Sequence, residues 1–166
     1  MKQIGMMVMA LLLTVTFTYA QDNKQSPKAT VDGKVIDVTY NQPSLRGRAF
    51  GKELAPYGKV WRTGADAATT VVFAKDVKFG GKDVKAGTYT LYTIPTEKEW
   101  TVILNKQNGQ WGTVYDEKQD LLRVTAPVKK ASSPTEKFTI KVDDKANASD
   151  LVMMWADATV SVPVTY

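Results

Sequence analysis

The 166-residue sequence contains no cysteine and no histidine. Without cysteine there is no disulfide, no thiol nucleophile and no thiolate metal site. Without histidine the commonest general base, the Ser-His-Asp triad and the commonest zinc ligand are all excluded. Catalysis would have to run on carboxylates, Lys, Tyr or Ser, for which glycoside hydrolysis by paired carboxylates is the precedent. Neither a cofactor nor a metal is expected. Long apolar runs are also scarce. The one present, Ile4 to Phe17, follows Met1-Lys2-Gln3 and ends in Thr18-Tyr19-Ala20. A basic start, a short apolar middle and small residues before a polar stretch describe a secretory signal peptide, with cleavage expected after Ala20. The run is shorter than the roughly 20 residues of a membrane span, so the chain is not expected to cross a membrane. With no cysteine at the cut, no lipid anchor is expected either. The expected organisation is therefore a signal peptide over 1–20 and a single domain over 21–166. Export, with the periplasm as the first candidate compartment and the extracellular space as the second, is the expected address.

The charge is mildly basic, +5 overall and +4 once Lys2 is removed. The basic residues are scattered, which is not the footprint of a nucleic-acid-binding surface.

From about residue 28 onward, short apolar runs alternate with polar residues and are broken by Gly, Asn, Asp and Pro. That rhythm predicts an all-β fold, a single antiparallel β-sandwich of jelly-roll or similar type. Phe138-Thr139-Ile140-Lys141-Val142 is the cleanest strand. Leu151 to Trp155, Thr69 to Ala74, Tyr89 to Ile94 and Val35 to Tyr40 are others. Val160, Val162 and Val164 alternate as well, and Pro163 between them predicts an edge strand. An edge over Thr159 to Val164 would serve as the contact of a homodimer. Gly80-Gly81 and Lys85-Ala86-Gly87 predict turns, Asn108-Gly109 a hairpin leading to Trp111, and Ala131 to Pro134 a loop. One stretch does not read as strand. Asn41 to Ala68 is a long loop, with room for a short helix near Ala49 to Leu54, and loops of this length in compact domains tend to carry function.

The run Pro56-Tyr57-Gly58-Lys59-Val60-Trp61-Arg62-Thr63-Gly64-Ala65-Asp66-Ala67-Ala68-Thr69 is distinctive. Together with Ser44 to Arg48, Lys85 to Pro95, Glu99 to Ile103, Gln110-Trp111-Gly112 and Val160 to Pro163, it closely resembles the bacterial domain-of-unknown-function 2911 family. The resemblance covers about Ser26 to Val164. It implies an exported bacterial protein and implies no activity.

The same loop holds the best candidate site: Arg46, Arg48, Lys59 and Arg62 beside Tyr57, Trp61 and Asp66. Guanidinium groups bind carboxylate or phosphate bidentately, and aromatic faces stack on sugars. On that reading the loop takes a small anionic ligand or a glycan, and the protein is a non-catalytic binding module. On the competing reading the loop is an anchor, with Trp61 plugging the end of the sandwich and Arg62 paired to Asp66. Weaker carboxylate groups are Asp116, Glu117 and Asp120; Glu97 and Glu99; and Asp143, Asp144, Asn147 and Asp150, the last a set of oxygen ligands without the spacing of a calcium loop. A carboxylate-dependent glycan hydrolase and a purely structural or interaction module are the two alternative functions.

Overall fold

The computed structural model describes residues 25–166. The expected signal peptide and the expected cleavage after Ala20 lie outside the described residues. The rest is all-β and antiparallel, as the alternation predicts: β1 Lys28–Asp32, β2 Ile36–Asn41, β3 Ala65–Phe73, β4 Val77–Phe79, β5 Lys82–Val84, β6 Gly87–Pro95, β7 Glu99–Asn105, β8 Asp120–Asp144 and β9 Ala148–Thr165. One turn of 3-10 helix, Glu117–Gln119, precedes β8. Burial follows the two-residue period. Phe138 and Ile140 are buried while Lys137 and Lys141 are exposed, and Leu151, Met153 and Trp155 are buried around the half-buried Val152 and Met154.

The strands are joined in one hydrogen-bonded order, β1-β2-β3-β6-β7-β8-β9-β4-β5, rather than in two separate sheets. The long β8 is the reason. Its first part pairs with β7 up to Pro127, and from Val128 onward it pairs with β9. Ala131 to Pro134, read from sequence as a loop, belongs to β8 but stands outside the ladder. The register jumps from Lys130 opposite Ala158 to Thr135 opposite Ala156, and again to Thr139 opposite Met154. Pro134 has no N–H to give a ladder, and the bulge lies within the β9-paired part of β8, after the change of partner at Pro127 and Val128.

Where β7 ends, the second half of β8 would present an open edge. The chain leaving β2 covers it. The N–H of Phe138 donates to Pro43 O at 2.8 Å, that of Leu45 to Glu136 O at 3.0 Å, and that of Ile140 to Tyr40 Oη at 3.0 Å.

Thr159 to Val164, expected at an edge, pairs with β8 at its start and with β4 at its end. Val160 lies opposite Val128 on β8, Val164 lies opposite Phe79 on β4, and Pro163 O accepts from Gly80 N–H. Pro163 lacks only a donor, and its carbonyl still pairs. Two sequence expectations are corrected here. The Asn108-Gly109 hairpin does not form. The edge of β7 is taken by β8, so the chain after Asn105 crosses to the start of β3, where Trp111 bridges Ala67 and Gly112 N–H donates to Asp66 O at 3.0 Å. No helix forms at Ala49 to Leu54. The N–H groups of Glu53 and Leu54 both reach Ala49 O, and Gly51 at φ 83° turns the chain out of helical geometry.

Trp61, Trp100, Phe138 and Trp155 form the aromatic centre of the core, with Phe50 packed against it. Aromatic side chains of this size dominate core energetics through the area they bury.

Candidate functional site

The candidate loop is organised by Trp61. Its N–H and C=O both pair with Thr93 on β6, at 2.7 and 2.9 Å. Its ring stacks on Trp155 at 5.2 Å and meets Phe138 at 4.8 Å and 72°. The indole Nε1 donates to Gly64 O at 3.1 Å, so the one polar atom of the ring is satisfied inside the core. Both ring faces are therefore covered, and Trp61 is a plug rather than a stacking platform.

Fixing Trp61 orients its neighbour. Arg62 is half-buried, and its side chain lies on Gly112: a Cβ there would stand 2.6 Å from Arg62 Cδ and 2.8 Å from Asp66 O. Only glycine allows the 106–116 loop to approach so closely. Between that loop and the 42–64 loop lies a groove of about 670 Å³, walled by Arg48, Glu53, Arg62, Asp66 and Tyr115 above the edges of Trp61 and Trp155.

Asp66 has φ 55°, a left-handed conformation that Asp tolerates better than most residues. Its Oδ2 accepts the main-chain N–H of Ser26 at 2.7 Å. The Arg62–Asp66 pair expected for an anchor is absent: among the described residues no ion pair or hydrogen bond engages the Arg62 guanidinium. Asp66 instead fastens the chain entering β1, and Arg62 faces the groove with its charge uncompensated.

The remaining sequence candidates divide. Arg48 reaches the groove with its Nε and one terminal nitrogen donating to Leu45 O and Ser44 O, both at 3.1 Å. Arg46 and Lys59 are exposed and stand outside it. Tyr57 also stands outside it. Its ring covers Gly51 and meets Phe50 edge-on at 5.7 Å, and it lines a smaller groove of about 330 Å³ together with Glu97 and Asp157. Burial first, then those two carboxylates, raise the Tyr57 phenol above its ordinary pKa.

Glu53 and Tyr115 are groove residues that the sequence did not single out. Glu53 Oε2 accepts the N–H of Ala49 at 2.9 Å, a local cap across one turn. Tyr115 is held by a network that no spacing announces. Its Oη donates to Asp120 Oδ2 at 2.7 Å and accepts from Arg123 at 2.9 Å, and Asn105 Nδ2 donates to Asp120 Oδ1 at 2.9 Å. Burial, reinforced by the Asp120 charge and hydrogen bond, pushes the Tyr115 phenol up to about 12. The sequence traces of this wall were the Gln110-Trp111-Gly112 run and the Asp116, Glu117 and Asp120 cluster.

Five of the clustered carboxylates have structural partners, while the side chains of Glu97, Glu99 and Asp143 make no hydrogen bond or ion pair among the described residues. Asp116 caps the 3-10 turn, Glu117 pairs with Arg123 at 2.8 Å, and Asp120 serves Tyr115. Asp144 takes Ser149 Oγ and Lys34 N–H, and Asp150 pairs with Lys145 Nζ at 2.6 Å. Among the described residues no group of three or more acidic side chains could hold a metal ion. A second groove of about 650 Å³ lies between β4, β5 and the C-terminus, but its charges pair with one another, Lys78 with Asp83 and Lys85 with Asp76. Trp111 is 48 % exposed on the 106–116 loop, outside the wall of the main groove.

Residues 22–164 match the family model described as "Protein of unknown function (DUF2911)". No curated protein and no solved structure matches the chain. The match takes in every strand and both loops that wall the groove, and the chain belongs to the DUF2911 family.

Proposed function

We propose that this protein is an exported, non-catalytic binding module that takes a small anionic ligand in the groove between the 42–64 and 106–116 loops. The carrying observation is Arg62, a half-buried guanidinium in a groove of about 670 Å³ with no partner among the described residues. That volume is within the roughly 300–1,000 Å³ of small-molecule sites. A guanidinium is matched to carboxylate or phosphate, and partial burial strengthens the pairing. The glycan version has less support, because Trp61 is enclosed in the core and offers no face for a sugar.

Thermal-shift and calorimetric titration with glucuronate, succinate and inorganic phosphate tests the reading. Binding by the wild type that vanishes in Arg62→Ala supports it. Equal responses in both proteins would remove Arg62 as the anchor. Detection of the mature chain, lacking residues 1–20, outside the cytoplasm tests export.

The hydrolase alternative rests on one observation, that Glu53 and Asp66 line the same groove. Release of reducing sugar from envelope polysaccharides, abolished by Glu53→Gln, would favour it over a pure binder.

A further inference from the structure

The groove is not simply basic. It sets two cations, Arg48 and Arg62, against two carboxylates, Glu53 and Asp66, so its formal charges cancel. A ligand bearing only negative charge gains at Arg62 and loses beside the carboxylates. Each carboxylate is held through one oxygen by a main-chain N–H, Asp66 Oδ2 by Ser26 and Glu53 Oε2 by Ala49. Asp66 Oδ1 and Glu53 Oε1 have no protein donor among the described residues. The cleft thus presents the unpaired Arg62 guanidinium and two carboxylate oxygens without a protein donor among the described residues, Glu53 on its exposed rim and Asp66 half-buried. The chemistry that satisfies all of them is dipolar: a carboxylate for the guanidinium and an ammonium, with amide N–H groups, for the carboxylates.

Size and walls extend the argument. A single amino acid would leave most of a 670 Å³ groove open. Leu54, Ala55 and Val60 add apolar wall, and Val60 is 40 % exposed. Apolar surface beside paired charges suits side chains projecting from a short backbone. Tyr115 closes one side as a fixed wall, because Asp120 and Arg123 hold its hydroxyl.

We infer that the groove binds short peptides with free ends, the terminal carboxylate on Arg62 and the terminal ammonium on Glu53 and Asp66. This rests on the assignment of Arg62 as an anion anchor and adds the opposite pole.

Calorimetric titration of the purified protein with trialanine, N-acetyl-trialanine and trialanine amide is the test. Each blocked end removes one charge-assisted contact, so each blocked peptide is expected to bind about tenfold or more weakly than trialanine. Arg62→Ala should erase the discrimination against the amide. The double variant Glu53→Gln/Asp66→Asn keeps an acceptor for both main-chain N–H groups and removes both charges, and it should erase the discrimination against the acetylated peptide. If N-acetyl-trialanine binds as tightly as trialanine while the amide does not, the dipolar ligand is wrong and the anion anchor stands. If the amide binds equally well too, both are wrong. If none of the three binds, the peptide inference fails, and the response to glucuronate, succinate and phosphate judges the anchor separately.

Discussion

The main-chain N–H of Ser26 donates to the Asp66 carboxylate at 2.7 Å, across 40 positions of sequence. The other side of Ser26 is held as well, its C=O accepting from Asn41 Nδ2 at 2.8 Å. This double clamp ties the chain entering β1 to the end of β2 and the start of β3. It also occupies Asp66 Oδ2, while Arg62 remains unpaired among the described residues.

Asp66→Ala should lower stability by roughly 2 kcal/mol or more. It strands the Ser26 N–H and forces alanine into a left-handed backbone conformation. Asp66→Asn keeps an acceptor and tolerates φ 55°, so it should stay within about 1 kcal/mol of the wild type. Urea denaturation of the two variants checks the contrast, and equal losses would contradict the clamp.

Arg62→Ala should cost little stability, about 1 kcal/mol or less, because only the packing of its stem on Gly112 is lost. Ligand affinity should fall about tenfold or more. A melting curve beside a binding isotherm separates the two effects. A large drop in melting temperature would mean that Arg62 is a structural anchor after all.

Trp61→Ala should be far more damaging, about 3–5 kcal/mol, through the cavity left against Trp155 and Phe138. Loss of the near-ultraviolet circular dichroism of the aromatic cluster should accompany it. A variant that melted like the wild type would show that the ring is not the plug of this core.

Tyr115 gives a pH prediction. Its phenol rises from 10.0 to about 12 in the folded state, through burial first and Asp120 second. Between those values the unfolded chain loses this proton and the folded chain keeps it. The contribution is thus fully present below about pH 10 and is lost as pH climbs through about 12. Phenolate absorbance should show a late-titrating component that Tyr115→Phe removes, and Asp120→Asn should move it back towards 10.0. No change on that substitution would separate Tyr115 from Asp120.

The strands were legible because their signal is local. Phe138-Thr139-Ile140-Lys141-Val142 alternates along its own sequence, and any ladder that buries one face must bury Phe138 and Ile140. The turns at Gly80-Gly81 and Lys85 to Gly87 were legible for the same reason, since a reversal is a property of adjacent residues. Partner choice was not local. Val160 to Val164 reads as one strand, yet it meets β8 at Val160 and β4 at Val164, and β8 itself leaves β7 for β9 between Pro127 and Val128. Asn108-Gly109 reads as a hairpin, but the returning chain bridges the start of β3, Trp111 opposite Ala67.

The candidate site divides along the same line. That Trp61 and Arg62 stand out was visible in the composition of one loop, where a large aromatic adjoins a guanidinium between glycines. Which of them is core and which faces solvent was decided by Thr93, Trp155 and Gly112, residues remote in sequence that fix the rotation of a single peptide segment. The sequence by itself determined the all-β class, the absence of thiol and imidazole chemistry, and the family. Tertiary structure alone decided that Asp66 holds Ser26 rather than Arg62, and that Glu53 and Tyr115 complete the groove. Alternation and turn chemistry are written in neighbouring residues, whereas a charge finds its partner only when distant loops meet over the same core.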